Sequence, residues 1–378
     1  MQFKEVVGQS SLINQLLKSV NNEKLSHAIL FAGPEGYGGL AIALALATYL
    51  NCQSRTETDS CGACPSCQKM KKLIHPDLHF SFPAITDEKN KNLSRNFLSF
   101  WRDALIENPY LNYFDWLMRL DANNKQGNIP IEEGREIVKN LSLKAHDGHA
   151  KIQIIWMADY LKESGNALLK IIEEPSPDTY FILIANNIEN ILKTILSRAQ
   201  VFLLPPILPE DIAKHLLKSL GIGHGEASSY AKLSNGDYME ALRIAKSTGN
   251  DYEEQFSNLL RYCYQNNLVE ILEISEKLAT RGREFQKDFF QYGLRLFREC
   301  LLFLYDLEKI SCSSETEKAF LSKLVKTLNH AQIETFYTIL SKSITAIEHN
   351  ANPKIIIFNL SLRIIQVFKN PVTNELLI

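Results

Sequence analysis

The run Ala28-Ile29-Leu30-Phe31-Ala32 leads into Gly33-Pro34-Glu35-Gly36-Tyr37-Gly38-Gly39-Leu40, and a second apolar run extends from Ala41 to Leu50. Apolar strand, glycine-rich turn and helix form the context of a phosphate-binding P-loop. Gly33 and Gly38 fit the spacing G-x-x-x-x-G-K-[ST]. The two chemical positions do not. Gly39 stands where a lysine should reach the phosphates, and Leu40 where a hydroxyl should hold Mg²⁺. The backbone cradle is written without its charged groups. The helix Leu40–Leu50 is almost wholly apolar, so it should be buried against a sheet. Upstream, Ser10-Ser11 reads as the N-cap of a helix carrying Leu12, Leu16 and Leu17.

The chain has 378 residues, enough for two or three domains. Apolar residues make up 45% and charged residues 22%, the balance of a soluble globular protein. A net charge of -2 gives no global basic field for nucleic acid or an anionic membrane. Met1 to Gly8 has no apolar segment of a secretory signal. Ala41–Leu50 and Cys300–Tyr305 are too short to span a bilayer. A cytoplasmic protein is expected.

Four of the seven cysteines fall in one loop, as Cys52, Cys61, Cys64 and Cys67. Two C-x-x-C knuckles sharing a cysteine, with a fourth one loop away, can converge on a tetrahedral Zn²⁺. A redox pair or unrelated thiols are the alternatives. With four thiolates there is no open ligand position, so the zinc expected here is structural and contributes folding energy. Cys263, Cys300 and Cys312 are scattered.

Lys151–Trp156 and Thr179–Ala185 are rich in β-branched residues and read as buried strands. Asn166–Glu174 reads as a helix ended by Pro175, and Ile131–Leu143 as another. Strand and helix in alternation imply a parallel α/β sheet. Phe97, Phe100, Trp101, Trp116 and their neighbours suggest short helices with aromatic faces, and core packing is preferred over base stacking for them. Pro205, Pro206 and Pro209 mark a linker. Helical spacing dominates from Asp251 to Asn370.

Taken together, "HAILFAGPEGYGG", the four-cysteine loop, "NALLKIIEEP" and "ILSRAQ" resemble, in that order, the bacterial clamp-loader subunits, AAA+ proteins of the DNA polymerase III holoenzyme. The zinc loop after the P-loop helix marks the gamma/tau and delta-prime types. The resemblance covers residues 1–245 by motif. It implies an AAA+ (P-loop NTPase-like) parallel-sheet domain over 1–206 with the zinc module at 52–67 and an insertion at 80–130. A small helical lid over 207–248 and an all-α collar over 249–378 complete the expected architecture.

Which type depends on the catalytic groups. Where the motor subunits carry a Walker B acidic pair, this chain has Trp156 and Met157, with Asp159 two residues beyond. Met239 takes the place of the sensor-2 arginine. Phosphoryl transfer depends on charge placed around the γ-phosphate. Gly39, Leu40, Trp156 and Met157 cannot supply it, although Gly33, Gly36 and Gly38 can still bind an anion weakly beside a helix N-terminus. The expectation is a delta-prime-type subunit that hydrolyses no ATP. Arg198 matches the family's "SRC" arginine, with Ala199 in place of the cysteine, and would act as a trans arginine finger in a neighbour's site. Without the resemblance, an arginine closing a helix fits equally well. Lys170 and Glu173-Glu174 are expected to support packing. The implied partners are gamma/tau and delta subunits, the sliding clamp and primed DNA. An active gamma/tau-type ATPase and a zinc-dependent DNA-binding module are the competing readings.

Overall fold

The computed structural model describes residues 1–85, 92–120, 127–142, 145, 150–247, 252–281, 283–307, 315–348 and 351–369. Cys312, the expected boundary at 248 and two parts of the expected insertion, 86–91 and 121–126, lie outside them. The chain divides into two compact units, Met1–Ala245 and Lys246–Ile378.

The first unit is built on five parallel strands: β1 (Ala28–Ala32), β2 (Leu78–Ser81), β3 (Lys151–Trp156), β4 (Thr179–Ala185) and β5 (Gln200–Leu203). Their order across the sheet is β2-β3-β4-β1-β5. β1 pairs with β4 (Ile29 opposite Ile182) and with β5 (Ile29 opposite Gln200). Every residue of β1 and β3 is buried. Parallel strands covered by helices on both faces read as near-continuous apolar runs, and β1 does, while β3 buries Lys151 and Gln153 among its apolar residues. The pleat divides β1 between two cores: Ile29 and Phe31 join one, Ala28 and Leu30 the other. Each buried Leu, Ile or Phe contributes about 1.5–3 kcal/mol, so the central strands anchor the unit.

One face is covered by α1 (Ser10–Asn21) and α2 (Gly39–Leu50). The short α3 (Pro65–Lys71) follows the cysteine loop. α4 (Leu98–Glu107) and α5 (Tyr113–Arg119) lie in the expected insertion. They bring an aromatic stack to the same core, with Trp101 4.3 Å from Phe82 and 4.9 Å from Trp116. Both tryptophans and Phe97 are buried, which bears out core packing for them, whereas Phe100, expected with them, points away from the core and is exposed. The opposite face carries α6 (Ile131–Ser142), α7 (Leu169–Glu173) and α8 (Lys193–Leu196).

The helix expected over Asn166–Glu174 begins inside a 3-10 turn, Lys162–Leu168, and continues as the five-residue α7, which ends one residue before Glu174. Its geometry follows from close packing on α6. A Cβ at Gly134 would lie 2.9 Å from the Ser164 carbonyl oxygen, and the Ser164 hydroxyl donates to the carbonyls of Leu161 and Ile129.

Three helices complete the unit: α9 (Pro209–Leu220), α10 (His224–Leu233) and α11 (Tyr238–Ser247). Ile212, Leu216, Ala227, Ala231 and Ala241 form their core, which also takes in Val7, Ala41 and Tyr110.

Among its described residues the second unit holds only helices: α12 (Tyr252–Gln265), α13 (Leu268–Ala279), α14 (Arg283–Leu304), α15 (Glu315–Leu324), α16 (His330–Glu348) and α17 (Pro353–Lys369), with a 3-10 turn at Val325–Thr327. Its core centres on Phe256, Phe289, Phe297, Phe336 and Leu360. Among the described residues no helix is long and apolar enough to cross a membrane.

Candidate functional site

The glycine turn joins the carboxyl end of β1 to the start of α2, on the edge of a parallel sheet where ligand sites gather. Gly36 (φ +78°) and Gly38 (φ +91°) adopt left-handed backbone that side chains rarely tolerate. The Gly33 N–H donates to the Ala185 carbonyl at 3.0 Å, and the Tyr238 N–H donates to the Gly36 carbonyl at 3.1 Å. So the backbone cradle exists.

Its contents are the chain's own acids and aromatics. A Cβ at Gly36 would sit 1.8 Å from Asp237 Oδ1, so that carboxylate lies directly on the turn. The Glu35 carboxylate accepts the Tyr113 N–H at 2.7 Å and the Asn186 amide at 2.6 Å. Asp159 accepts the Asn186 N–H at 3.3 Å. Burial holds Glu35, Asp159 and Asp237 above the usual carboxylate range, and Asp237 and Asp159 each add charge repulsion at Glu35. Around a nucleotide's phosphates these charges have the wrong sign. Gly39 packs against Leu204 and Ile184, and Leu40 is buried.

Trp156 and Met157 are buried rather than presented to a metal. Trp156 lies 5.0 Å from Trp101, within the aromatic stack. Met157 is held at φ +58°. Met239 accepts a hydrogen bond from the Asn108 amide at 2.8 Å. Tyr110 lies beside Gly38 and its hydroxyl accepts the Val7 N–H at 2.7 Å. Thus Tyr110 and Tyr113, from a segment with no expected role, contact the turn, while Trp101 of the same segment packs on Trp156. Their aromatic character was readable in the sequence, but their destination was not.

Further bonds close the surroundings. Gln9, at φ +60°, donates its side-chain amide to the carbonyls of Tyr37 (3.0 Å) and Pro205 (2.7 Å). Gln9, not Ser10, is the N-cap residue of α1, and its side chain makes no cap bond because it makes these instead. The Ile207 N–H donates to the Gly236 carbonyl at 3.2 Å.

The cysteine loop is organised differently. All four sulfurs lie within 4.8 Å of one another, and Cys61 and Cys67 are 3.9 Å apart. Tetrahedral zinc with bonds of about 2.3 Å places its sulfurs about 3.8 Å apart, so the donor set fits that ion. Backbone N–H groups point at the sulfurs: Cys61 to Cys52 (3.2 Å), Cys64 to Cys61 (3.3 Å) and Cys67 to Cys64 (3.4 Å). Bonds from the Cys64 and Ala63 N–H groups bring the Cys61 thiol down to about 6, while burial pushes Cys52 and Cys67 up. A cation at the centre would favour the thiolate at all four. The loop is anchored by Asp59, whose carboxylate accepts the N–H groups of Phe3 (3.0 Å) and Lys4 (3.1 Å).

Arg198 follows α8 and precedes β5. It forms an ion pair with Glu173 and donates to the Thr194 carbonyl (2.8 Å) and the Ser197 hydroxyl (2.9 Å). Glu173 therefore holds a charged partner beyond the packing role expected of it. None of these contacts reaches the glycine turn. On β5, Val201 and Leu203 are exposed, and Leu203 is 70% accessible.

A family model described as "DNA polymerase III, delta subunit" matches residues 8–208. The chain belongs to the DNA polymerase III delta subunit family. Relatives carry both delta-prime and gamma names. The DNA polymerase III subunit gamma of Buchnera aphidicola subsp. Schizaphis graminum is 29% identical over 251 residues, covering 64% of this chain and 57% of that protein. The subunit delta' of Escherichia coli K12 is 28% identical over 251 residues, 66% of this chain and 63% of that protein. The chain spans about half the length of the curated relatives it matches. A gamma subunit-related protein from Thermotoga maritima covers 95% of this chain and 99% of its own, at 14% identity and a TM-score of 0.39.

Proposed function

We propose that this delta-family chain is a delta-prime-type subunit of a bacterial DNA polymerase III clamp loader, which hydrolyses no ATP itself. The reading rests above all on what fills the nucleotide place. Gly39, packed against Leu204 and Ile184, stands where a motor needs its lysine, Trp156 stands in an aromatic stack where it needs an acid, and the Asp237 carboxylate lies on Gly36. In this reading the zinc loop is structural, residues 207–248 form a lid and residues 249–378 a collar that joins other subunits. Zinc held by Cys52, Cys61, Cys64 and Cys67 would cross-link the loop without an open coordination position. The partners are gamma/tau and delta subunits, the sliding clamp and, through the assembly, primed DNA. Arg198 acts in trans on the nucleotide of a neighbouring motor subunit. Its place beside the exposed apolar edge of β5 suits a subunit boundary.

A second reading, an active gamma-type ATPase, is favoured by the gamma-named relative, which matches this chain as well as the delta' one does. ATP turnover separates the two. The purified chain alone should turn over no ATP, and measurable turnover by it would favour the gamma reading. In a reconstituted loader, Arg198→Ala should leave assembly intact and lower DNA-stimulated ATPase. Trans arginines supply roughly 10³–10⁵ in rate at a single site. Unchanged turnover would remove Arg198 from the mechanism.

A further inference from the structure

β2 is an edge strand, paired with β3 alone. Beside it a cavity of about 350 Å³ opens between α4 and α6. The floor is the strand itself, at His79, Phe80 and Ser81. Leu98 of α4 and Ile137 of α6 form opposing apolar walls.

The strand's backbone is arranged to accept another. The Ile152 N–H donates to the Asp77 carbonyl at 2.8 Å. Backbone groups alternate direction along a strand, so Asp77, His79 and Ser81 address β3 and Leu78 and Phe80 address the open edge. The ends of that edge are already closed. The Leu78 N–H donates to the His75 carbonyl at 3.1 Å. Phe82 exchanges hydrogen bonds with the Ser94 hydroxyl, at 3.0 Å to its N–H and 3.1 Å to its carbonyl. Between them stands Phe80, whose N–H and carbonyl have no partner among the described residues.

The charges of the cavity are also accounted for, with one exception. The Glu133 carboxylate accepts the Ser81 hydroxyl at 2.6 Å and the Ser94 N–H at 3.0 Å. Glu136 pairs with Arg95 at 3.0 Å. Burial lowers the pKa of His79 and favours its neutral form. Arg102 lines the cavity, and its Nε is buried without a hydrogen-bond partner. A lone guanidinium beside an open strand edge calls for a carboxylate carried on an extended chain.

We propose that this cleft docks an extended segment of a partner protein, which adds a strand to β2 at Phe80 and places a carboxylate side chain on Arg102. The wall residues Leu98 and Ile137 would take its apolar side chains. This site is independent of the glycine turn, the cysteine loop and Arg198.

The test uses the whole chain and two capped, fluorescein-labelled hexapeptides of alternating valine and threonine. One carries aspartate at the fourth position and the other asparagine. The aspartate peptide should bind about tenfold more tightly by anisotropy, and should slow hydrogen exchange at the Phe80 amide. Arg102→Gln should abolish the preference, and Arg102→Lys should restore part of it, with circular dichroism checking that both variants fold. Equal affinity for the two peptides, or no binding at about 1 mM, would overturn the proposal. So would a preference surviving Arg102→Gln, exchange at Phe80 unaltered by the peptide, or protection reproduced by acetate alone, which would indicate a small-anion site.

Discussion

The glycine turn and the cysteine loop are both made of tight backbone turns that aim N–H groups inward. They differ in what stands at the centre. In the turn, the chain's own Asp237, Glu35 and Tyr110 occupy the space. In the loop, four sulfurs lie at separations that one ion can bridge. A binding site is a set of donors plus a centre that the chain leaves open. The turn keeps its inward N–H groups and sets carboxylates beside them.

Breaking that contrast should cost most at the loop. Removing zinc with a chelator, or Cys67→Ala, should destabilise the first unit by on the order of 4 kcal/mol, the scale of a lost structural metal. Metal analysis and urea titration would measure it. A fully folded, metal-free protein of unchanged stability would place the loop on the same footing as the turn.

Next is the aromatic stack around Trp156. Trp101→Ala removes a fully buried ring that touches Phe82, Trp116 and Trp156. About 3–5 kcal/mol of stability should be lost. A loss below about 1 kcal/mol would mean that the insertion merely rests on the sheet.

Gly36→Ala meets two obstacles, a φ of +78° and the Asp237 carboxylate. A cost of about 2 kcal/mol is expected. A neutral outcome would show that the turn can shift to make room, and so can be entered.

The smallest effect sharpens the electrostatic half. Glu35, Asp159 and Asp237 have folded pKa values raised by burial. Between the ordinary carboxylate range and those raised values, the folded chain binds more protons than the unfolded chain. Stability from these groups therefore falls as pH rises through that window. Asp237 accepts the Glu240 N–H at 3.0 Å at the start of α11; Asp237→Asn keeps that capping oxygen and removes one charge, so its urea midpoint should fall less than the wild type's as pH rises above the ordinary carboxylate range. Identical slopes would exclude Asp237 from the titration.

Much of this was readable from the residues alone. β1, β3 and β4 were legible because strands buried on both faces are rich in apolar and β-branched residues. β2 and β5 were not, being four-residue edges, with Val201 and Leu203 of β5 exposed. The cysteine loop was legible as ligand spacing, since its sulfurs come from one short segment. The shape of the glycine turn was legible too, because glycine positions encode φ. Its contents were not. Tyr113 reaches Glu35 from 78 residues away, and Asn186 from 151. No local period encodes such contacts. Ser10-Ser11 looked like a cap for a sound reason, and Gln9 took that place because its amide serves two distant carbonyls.

Those bonds of Gln9 have a mechanical consequence. Together with the bonds from Tyr238 to Gly36 and from Ile207 to Gly236, they pin α1, the glycine turn, the Pro205-Pro206 segment and the start of α11 at four points. A hinge pinned in this way has no free axis. Load applied to one of these elements is shared by the others, so this part of the molecule is built as a bracket.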